Sequence, residues 1–248
     1  MRRGGAVVAT VVALSACSVQ AEEPPGTAPT YSVPPVTAVA PQVEAAERIH
    51  LPVLARDSAE RRARRLTVRV RNVSCLGVAT GSGFAIAPDV LVTNRHVLAG
   101  ASAVEVSTWN GKSLRATFSA VGVLGDVGVA VIKGKLPLVG AFGKAPGEGA
   151  PINAIGYPLG GPLTISPGVV VDRVDGGRLG VPGAVVRVTA DVRPGNSGGP
   201  LLNRRGRIVG IVYAIERATG LGLAIPVDTF RRLVRIGGYE DVPPCGSE

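Results

Sequence analysis

Short runs of alternating apolar and polar residues, each ended by glycine or proline, constrain the fold of this chain more than any other feature. Its 248 residues include 34 Gly and 20 Pro, whereas aromatic residues make up only 4%. Glycine and proline end strands and form turns, so the pattern predicts many short strands rather than a helix bundle. The predicted strands cover 66–73, 82–87, 90–94, 103–108, 113–121, 127–132, 152–156, 163–173, 184–189, 200–202 and 208–214.

These strands favour closed antiparallel barrels. No helix separates consecutive strands, and a closed sheet leaves no exposed edge that could pair with another chain. The barrels are expected within 66–248, after a basic and partly helical linker at 43–65. A short helix is predicted at 228–236, with Asp228 as its N-cap. The predicted fold class is therefore all-β, with a helical or extended segment before the strands and one short helix after them.

Residues 1–16 have the composition of a bacterial export signal. Arg2 and Arg3 precede an apolar run that is too short for an ordinary transmembrane helix, and small residues follow before Cys17. The sequence LSAC, which ends at Cys17, matches the lipobox, in which the cysteine becomes the lipidated first residue of the mature protein. The alternative is a secreted soluble protein with an incidental cysteine. The predicted location is the outer face of the bacterial cytoplasmic membrane, reached through a lipid anchor.

A Pro-rich stretch and a group of arginines separate the signal from the strands. Residues 17–42 have the composition of an extended tether. Seven arginines then crowd residues 56–71, and the whole chain carries a formal net charge of +9. Outside the membrane, such a charge indicates attraction to anionic lipid or cell-wall polymer rather than to nucleic acid. The alternative is a solvated helix face.

Export also decides how the other two cysteines are interpreted. An oxidising compartment favours a disulfide between Cys75 and Cys245 over a thiol site, and lipidation of Cys17 would remove the odd cysteine. Cys245 lies in the terminal sequence VPPCGSE, which offers no apolar run that could dock by itself. The disulfide would therefore hold the end of the chain against the first strand.

The segment DVRPGNSGGPLL at 191–202 raises the question of whether Ser197 is a nucleophile or the tip of a tight turn. A serine hydroxyl needs a base, usually an imidazole oriented by a carboxylate. The chain has two histidines, and His50 lies in the linker, so His96 is the candidate base. Asp126, just before an alternating strand, is the candidate carboxylate. Asp89 is its competitor, although a Pro-Asp turn explains that residue more simply.

The order of the candidate residues separates two hydrolase folds. Residues 195–199 also match the G-x-S-x-G pattern of α/β-hydrolases, but that fold places its histidine after the serine. No histidine follows Ser197 in this sequence. The order His96, Asp126, Ser197 is instead that of the chymotrypsin-like double barrel.

Several motifs together resemble the trypsin-like serine proteases of the bacterial HtrA/DegP group. They are TNRHVLAG, GDVGVAVIK, AIGYPLGG, DVRPGNSGGPLLNRRGRIVGI and LGLAIPVD, and the resemblance covers about residues 68–236. It implies two six-stranded antiparallel barrels, at about 66–135 and 150–226. His96 and Asp126 would come from the first barrel and Ser197 from the second. The chain also resembles the actinobacterial periplasmic members, in which a cysteine pair joins the first strand to the chain end.

The resemblance also implies an oxyanion hole and a path for the substrate. The backbone N–H groups of Gly195 and Ser197 would form the hole, and a peptide would add as a strand along Val212, Tyr213 and Ala214. The spacing of Asp191 is that of the acid at the base of the primary pocket in trypsin, which would select basic residues. The alternative, which we favour, is an aspartate buried by backbone bonds or paired with a nearby arginine.

The predicted function is a serine endopeptidase of the cell envelope that acts on proteins or peptides without metal, cofactor or nucleic acid. The alternatives are an envelope-anchored pseudoprotease that holds peptides without cutting them, and an esterase that uses the same three residues. Most HtrA proteins carry a PDZ domain after the protease and form trimers. Because only about a dozen residues follow the predicted final helix, no PDZ domain is expected. The sequence does not indicate an oligomeric state.

Overall fold

Closed sheets of short antiparallel strands make up most of the protein. The computed structural model describes residues 58–243. Within this range there are thirteen strands and three α-helices, and twelve of the strands belong to two barrels. Among the same residues, no helix is long and apolar enough to cross a bilayer.

The first barrel contains six strands. They are β1 (Thr67–Ser74), β2 (Gly77–Ala87), β3 (Val90–Thr93), β4 (Ala103–Ser107), β5 (Ser113–Gly122) and β6 (Gly128–Ile132). They are ordered β5-β4-β1-β2-β3-β6, and the sheet closes because β6 also pairs with β5. Successive side chains of a strand point to opposite faces. The inward-facing Val68, Val70, Leu91 and Val106 form the interior of this barrel.

The second barrel also contains six strands. They are β7 (Pro151–Gly156), β8 (Thr164–Asp175), β9 (Ala184–Val188), β10 (Pro200–Asn203), β11 (Ile208–Ile215) and β12 (Gly222–Pro226). Their order is β10-β11-β12-β9-β8-β7, and β7 closes the barrel by pairing with β10. Val170, Val186, Leu201 and Ala224 lie in its buried core.

A third apolar cluster joins the two barrels. The helices that border it are α1 (Ser58–Leu66) and α3 (Val227–Ile236), while the third helix is α2 (Arg95–Leu98). Phe84 of the first barrel packs in this cluster with Ile155 and Ile211 of the second, with Leu66 of α1 and with Phe230 of α3. The two barrels are therefore packed against each other through a continuous apolar core.

The predicted fold class is confirmed, because the protein has two six-stranded antiparallel barrels and a short C-terminal helix. Part of the arginine group falls on α1. The Ala63 and Leu66 side chains of this helix are buried, whereas Arg61, Arg62 and Arg65 are exposed. A helix with one buried apolar side therefore presents its arginines to solvent.

The predicted N-cap of the last helix is wrong. Helix α3 begins at Val227, and its N-cap is Pro226, whose backbone is extended with φ −68° and ψ 155°. Asp228 lies inside the first turn, where its carboxylate accepts the Thr229 N–H at 2.9 Å. The helix starts one residue before the position that the capping preference of aspartate indicates. Val227 is its first residue, and the side chain of Val227 is buried in the folded protein.

The end of the described chain docks on the first barrel. The prediction made for VPPCGSE concerns residues 242–248, of which 244–248 lie outside the described range. After α3, strand β13 (Tyr239–Asp241) pairs with residues 120–122 of β5, beyond the part of β5 that pairs with β4, and Tyr239 lies opposite Gly122. Val242 then packs against the core of the first barrel. Strand pairing uses backbone groups, which no hydrophobicity pattern reveals.

Candidate active site

A histidine and an aspartate from the first barrel form a hydrogen-bonded pair. His96 lies in α2, directly after β3, and Asp126 lies just before β6. Because β3 and β6 are antiparallel neighbours, with Thr93 opposite Gly128, both side chains start from adjacent strand ends. The His96 Nδ1 lies 2.7 Å from Asp126 Oδ2, and the His96 backbone N–H donates to Asp126 Oδ1 at 3.0 Å. One carboxylate therefore holds both the backbone and the ring of His96.

This contact also selects the tautomer of the ring. A carboxylate oxygen accepts hydrogen bonds, so we assign the proton of His96 to Nδ1, and Nε2 is left as an acceptor. The His96 side chain is 51% exposed and that of Asp126 only 19% exposed. Asn94 holds the backbone at Asp126, because its side-chain Nδ2 donates to the Asp126 carbonyl at 2.7 Å. The ring is therefore held at Nδ1, and Nε2 has no hydrogen-bond partner among the described residues.

Ser197 lies in a tight loop that precedes β10. Gly195 and Gly198 on either side of it have φ values of +97° and +85°. A Cβ at Gly195 would overlap the carbonyl oxygen of Tyr157, and one at Gly198 would overlap that of Ser82. Glycine is required at both positions for conformation and for space. Ser197 therefore does lie in a tight turn, and the turn presents its side chain beside the first barrel.

Contacts with the first barrel bring the Ser197 loop next to α2. A Cβ at Gly81 would meet Val97 on one side and the Ser197 carbonyl on the other, and Val97 directly follows His96. The Ser197 hydroxyl donates to the Tyr213 carbonyl at 3.3 Å. Within residues 58–243, it forms no hydrogen bond with the His96 ring.

Ser82 of β2 is a fully buried residue that ties the loop to both barrels. Its hydroxyl donates to the Gly195 carbonyl at 2.7 Å and accepts the Tyr157 N–H at 2.9 Å. Its own N–H donates to the Ser197 carbonyl at 2.7 Å. Its carbonyl accepts the Thr93 hydroxyl at 2.7 Å. Every polar group of Ser82 is therefore paired within the protein.

Two N–H groups of the loop are left unpaired. The Pro194 carbonyl accepts the Leu159 N–H at 2.6 Å, and the Asn196 carbonyl accepts a backbone N–H of the same loop at 2.9 Å. In a trans peptide the N–H points away from the carbonyl. The N–H groups of Gly195 and Ser197 therefore point away from these partners, and neither has an acceptor in the part of the chain that the structure describes. Both are available to bind an oxygen atom.

Strand β11 bulges beside Ser197. Its register with β12 shifts between Val212 and Ala214, so Tyr213 is the extra residue and its carbonyl faces the Ser197 hydroxyl. The backbone N–H and C=O of Val212 already pair with the Ser197 loop, at 2.9 and 2.8 Å. Of the three residues predicted to pair with a substrate strand, Val212 therefore has no backbone group free for this purpose.

The ring of Tyr213 lies in the apolar cluster between the barrels. Among the described residues, its buried hydroxyl has no hydrogen-bond partner. Burial, the negative charge of Asp126 and that of Glu216, in this order, raise the pKa of Tyr213 to about 12. The phenol therefore stays neutral beside the His96–Asp126 pair.

Two other predicted or competing acids lie apart from this arrangement. Asp191 is at the surface, where its 64% exposed side chain forms an ion pair with Arg193 at 3.0 Å. This is the pairing that the favoured interpretation of Asp191 anticipates. Asp89 is exposed in the turn between β2 and β3, at the opposite end of β3 from His96. It is Asp126, not Asp89, that contacts the imidazole.

Several residues named from the sequence lie outside the described range. They are Cys17, His50 and Cys245, together with the predicted signal, the tether and most of the linker. Cys75 is exposed in the turn between β1 and β2. Among residues 58–243, no group of three or more His, Cys, Asp or Glu side chains could hold a metal ion.

Sequence analysis missed Ser82 and Leu159. Gly81 and Gly83 flank Ser82, and glycine inside a strand is a signal that another backbone approaches closely. Leu159 left no such signal. It is the only non-glycine residue with positive φ (53°) in residues 58–243, and it lies in a 3₁₀ turn after β7. Strained backbone of this kind is common at functional sites.

The chain belongs to the trypsin-like peptidase domain family, whose model matches residues 81–211, more than half of the chain. Among curated proteins it is 40% identical over 162 residues to the putative serine protease HhoB of Synechocystis, covering 60% of this chain and 38% of HhoB. It is 34% identical over 188 residues to the serine protease Rv3671c of Mycobacterium tuberculosis, covering 71% of this chain and 47% of Rv3671c. The chain thus spans less than half the length of these two relatives.

Solved structures of proteases also resemble this chain in fold. The active form of the Rv3671c protease from M. tuberculosis superposes with a TM-score of 0.68 and 27% identity, covering 79% of this chain and 89% of that one. The HtrA-type protease AlgW, solved with a tripeptide, gives a TM-score of 0.65 and 27% identity, covering 74% of this chain and 63% of that one. These relatives are thus proteases, and one of them, AlgW, is of the HtrA type.

Replacing Ser82 by Ala should destabilise the protein. The Gly195 carbonyl and the Tyr157 N–H would each lose a buried partner, at a cost of roughly 1–3 kcal/mol for each group. Urea unfolding measures the change in the free energy of unfolding. The control is Ser113→Ala at an exposed strand position, where a change within about 0.5 kcal/mol is expected. Equal stability of the two variants would show that the Ser82 hydroxyl does not hold the loop.

Proposed function

We propose that the protein is a serine endopeptidase in which His96, Asp126 and Ser197 form the catalytic triad. The observation that carries this proposal is the double contact of Asp126 with the backbone and ring of His96, beside a loop that offers Ser197 and two unpaired N–H groups. A base that is oriented by a carboxylate next to a serine is the arrangement that activates a hydroxyl. Membership of the trypsin-like peptidase family supports the assignment.

The first step requires a rotation of the Ser197 side chain. Its hydroxyl, bonded to the Tyr213 carbonyl in the resting protein, turns toward Nε2 of His96. His96 takes the proton while the Ser197 oxygen attacks the peptide carbonyl carbon. The resulting oxyanion is stabilised by the N–H groups of Gly195 and Ser197. Asp126 stabilises the imidazolium through the hydrogen bond at Nδ1.

Collapse of this intermediate breaks the peptide bond. The imidazolium gives its proton to the leaving amine, and the acyl group stays on Ser197. Water then attacks the acyl-enzyme, with His96 again acting as the base, and the acid product leaves while the serine regains its proton. No metal or cofactor takes part.

The substrate would add as a β-strand beside Tyr213 and Ala214. A backbone N–H of the substrate can donate to the Tyr213 carbonyl and replace the Ser197 hydroxyl there. Substrate binding would therefore release the hydroxyl for its contact with His96. The pairing of Asp191 with Arg193 gives no support to a preference for basic residues before the cut.

Replacing Ser197 or His96 by Ala should each lower kcat by several orders of magnitude, and the double change should cost little more, because triad members act as a unit. Asp126→Asn should lower kcat roughly 10⁴-fold. The control is Asp89→Asn, which should leave the rate unchanged. The measurements are hydrolysis of peptide and ester substrates and labelling by a fluorophosphonate. Absence of labelling would favour a peptide-binding pseudoprotease, and hydrolysis of esters alone would favour an esterase.

We also propose that the protein is exported and anchored by lipid at Cys17. The two arginines, the short apolar run and the LSAC sequence support this location. Mass spectrometry of the protein from the membrane fraction should find diacylglyceryl-modified Cys17 and no peptide from residues 1–16. A Cys17→Ser variant should move to the soluble fraction. Unmodified Cys17 in protein released to the medium would contradict the anchor.

A disulfide between Cys75 and Cys245 is the third element of the proposal. The chain after β13 runs along the first barrel, where Asp241 and Val242 lie beside residues 101–104. Ala103 is opposite Val73 in the adjacent β1, two residues before Cys75. Cys245 follows Val242 by three residues, so a short stretch of chain separates it from this surface. The bridge would close a loop of about 170 residues and stabilise the fold by up to about 5 kcal/mol in the chain-entropy model.

Cys75→Ser, Cys245→Ser and the double variant should therefore share the same lowered melting temperature. If the bridge exists, the second substitution removes nothing further. A reducing agent should lower the melting temperature of the natural protein to this value and leave the double variant unchanged. Two reactive thiols at these positions in unreduced, denatured protein would disprove the pairing.

A further inference from the structure

A cluster of cations surrounds a groove on the second barrel. The groove, of about 830 Å³, lies between the β10–β11 turn and the segment that joins the barrels. Lys144, Arg204, Arg205 and Arg207 line it, and none of its described lining residues is acidic. Arg62 of α1 packs against the same turn. The basic face is defined as Arg62, Lys144, Arg204, Arg205 and Arg207.

The positions of these cations are fixed by the backbone. The Asn203 side-chain oxygen accepts the N–H groups of Arg205 and Arg207 at 2.9 and 3.1 Å, which holds the turn in one conformation. The joining segment is fixed to the start of β11, because the Gly143 N–H donates to the Ile208 carbonyl at 2.7 Å. Three separate parts of the chain thus bring their charges to one surface.

The charges of the basic face are not used to hold the fold. In residues 58–243, none of its five side chains forms an ion pair. Other arginines do so, since Arg187 pairs with both Asp172 and Glu216. All five side chains of the basic face are exposed. The basic face is therefore free to meet an anionic partner.

The basic face and Ser197 lie at opposite ends of one strand. β10 begins just after the Ser197 loop and runs away from it to the turn at Arg204. Its four residues span roughly 13 Å at about 3.3 Å per residue. A partner bound at the turn would therefore leave the Ser197 loop uncovered.

We propose that the basic face binds the anionic phospholipid headgroups of a membrane surface and orients the domain with Ser197 facing away from the bilayer. Because the cations are spread over three segments, they suit a membrane surface with many headgroups better than they suit one small anion. In sequence, α1 and its Arg62 are the part of the basic face nearest to the proposed anchor at Cys17. Lipid anchoring alone would leave the orientation open, whereas basic residues near an anionic surface each add to binding. The proposal is independent of peptidase activity.

The test is co-sedimentation of the full chain with lipid vesicles. The chain carries Cys17→Ser, so that no acyl group contributes. It should bind vesicles that contain phosphatidylglycerol much more strongly than vesicles of phosphatidylcholine alone, and salt should weaken this binding. Arg204→Gln, Arg205→Gln and Arg207→Gln together should lower the partition coefficient on the order of 100-fold. Arg62→Gln with Lys144→Gln should lower it on the order of 10-fold.

The matched control changes Arg178, Arg217 and Arg235 to Gln, which removes the same charge from exposed positions outside the basic face. This variant should bind almost as the parent does. Equal losses in the two triple variants would overturn the proposal, because net charge alone would then explain binding. It would also be overturned if phosphatidylglycerol has no effect, or if soluble polyphosphate binds more tightly than the vesicles. Thermal unfolding checks that each variant remains folded.

Discussion

The arrangement of the candidate active site depends on one buried hydroxyl, that of Ser82. Ser82 belongs to the first barrel, but its side chain holds the Gly195 carbonyl of the second barrel and the N–H of Tyr157, directly after β7. Because the peptide bond is planar, fixing the Gly195 carbonyl also fixes the orientation of the peptide bond between Gly195 and Asn196 in the Ser197 loop. Gly81 and Gly83 make the contact possible, since a side chain at either position would collide with neighbouring atoms. The barrels are therefore joined by directional bonds as well as by apolar packing.

The two barrels contribute differently to the site. The first barrel supplies His96 and Asp126 from the ends of β3 and β6, where strand pairing sets their separation. The second supplies Ser197 from a loop whose glycines allow a conformation that other residues resist. Packing between the barrels places the Ser197 loop against Ser82 and beside Val97 of α2, the helix that carries His96. The turn at the far end of β10 carries exposed arginines that form no ion pair among the described residues.

Predictions from the sequence succeeded for features that depend on neighbouring residues, such as strands and turns. Alternating runs predicted the strands, and elimination among two histidines led to the residue that Asp126 contacts. They failed where distant contacts decide. Asp228 has the composition of an N-cap, yet burial of Val227 starts the helix earlier. Strand β13 was not among the predicted strands, because it is held by backbone pairing with β5 rather than by an apolar pattern. The backbone pairing of Val212 with the Ser197 loop was likewise visible only in the structure.

By itself, the sequence determined the class of fold and the types of residue available for chemistry. Strand periodicity and turn residues depend only on neighbouring residues. The order of His96, Asp126 and Ser197 is a property of the sequence itself, so it too can be interpreted without coordinates. Only the tertiary structure decided which carboxylate meets the imidazole, which N–H groups stay unpaired and which cations share a surface. The reason is separation along the chain. Ser82 and Gly195 are 113 residues apart, and only the folded barrels bring their atoms within hydrogen-bonding distance.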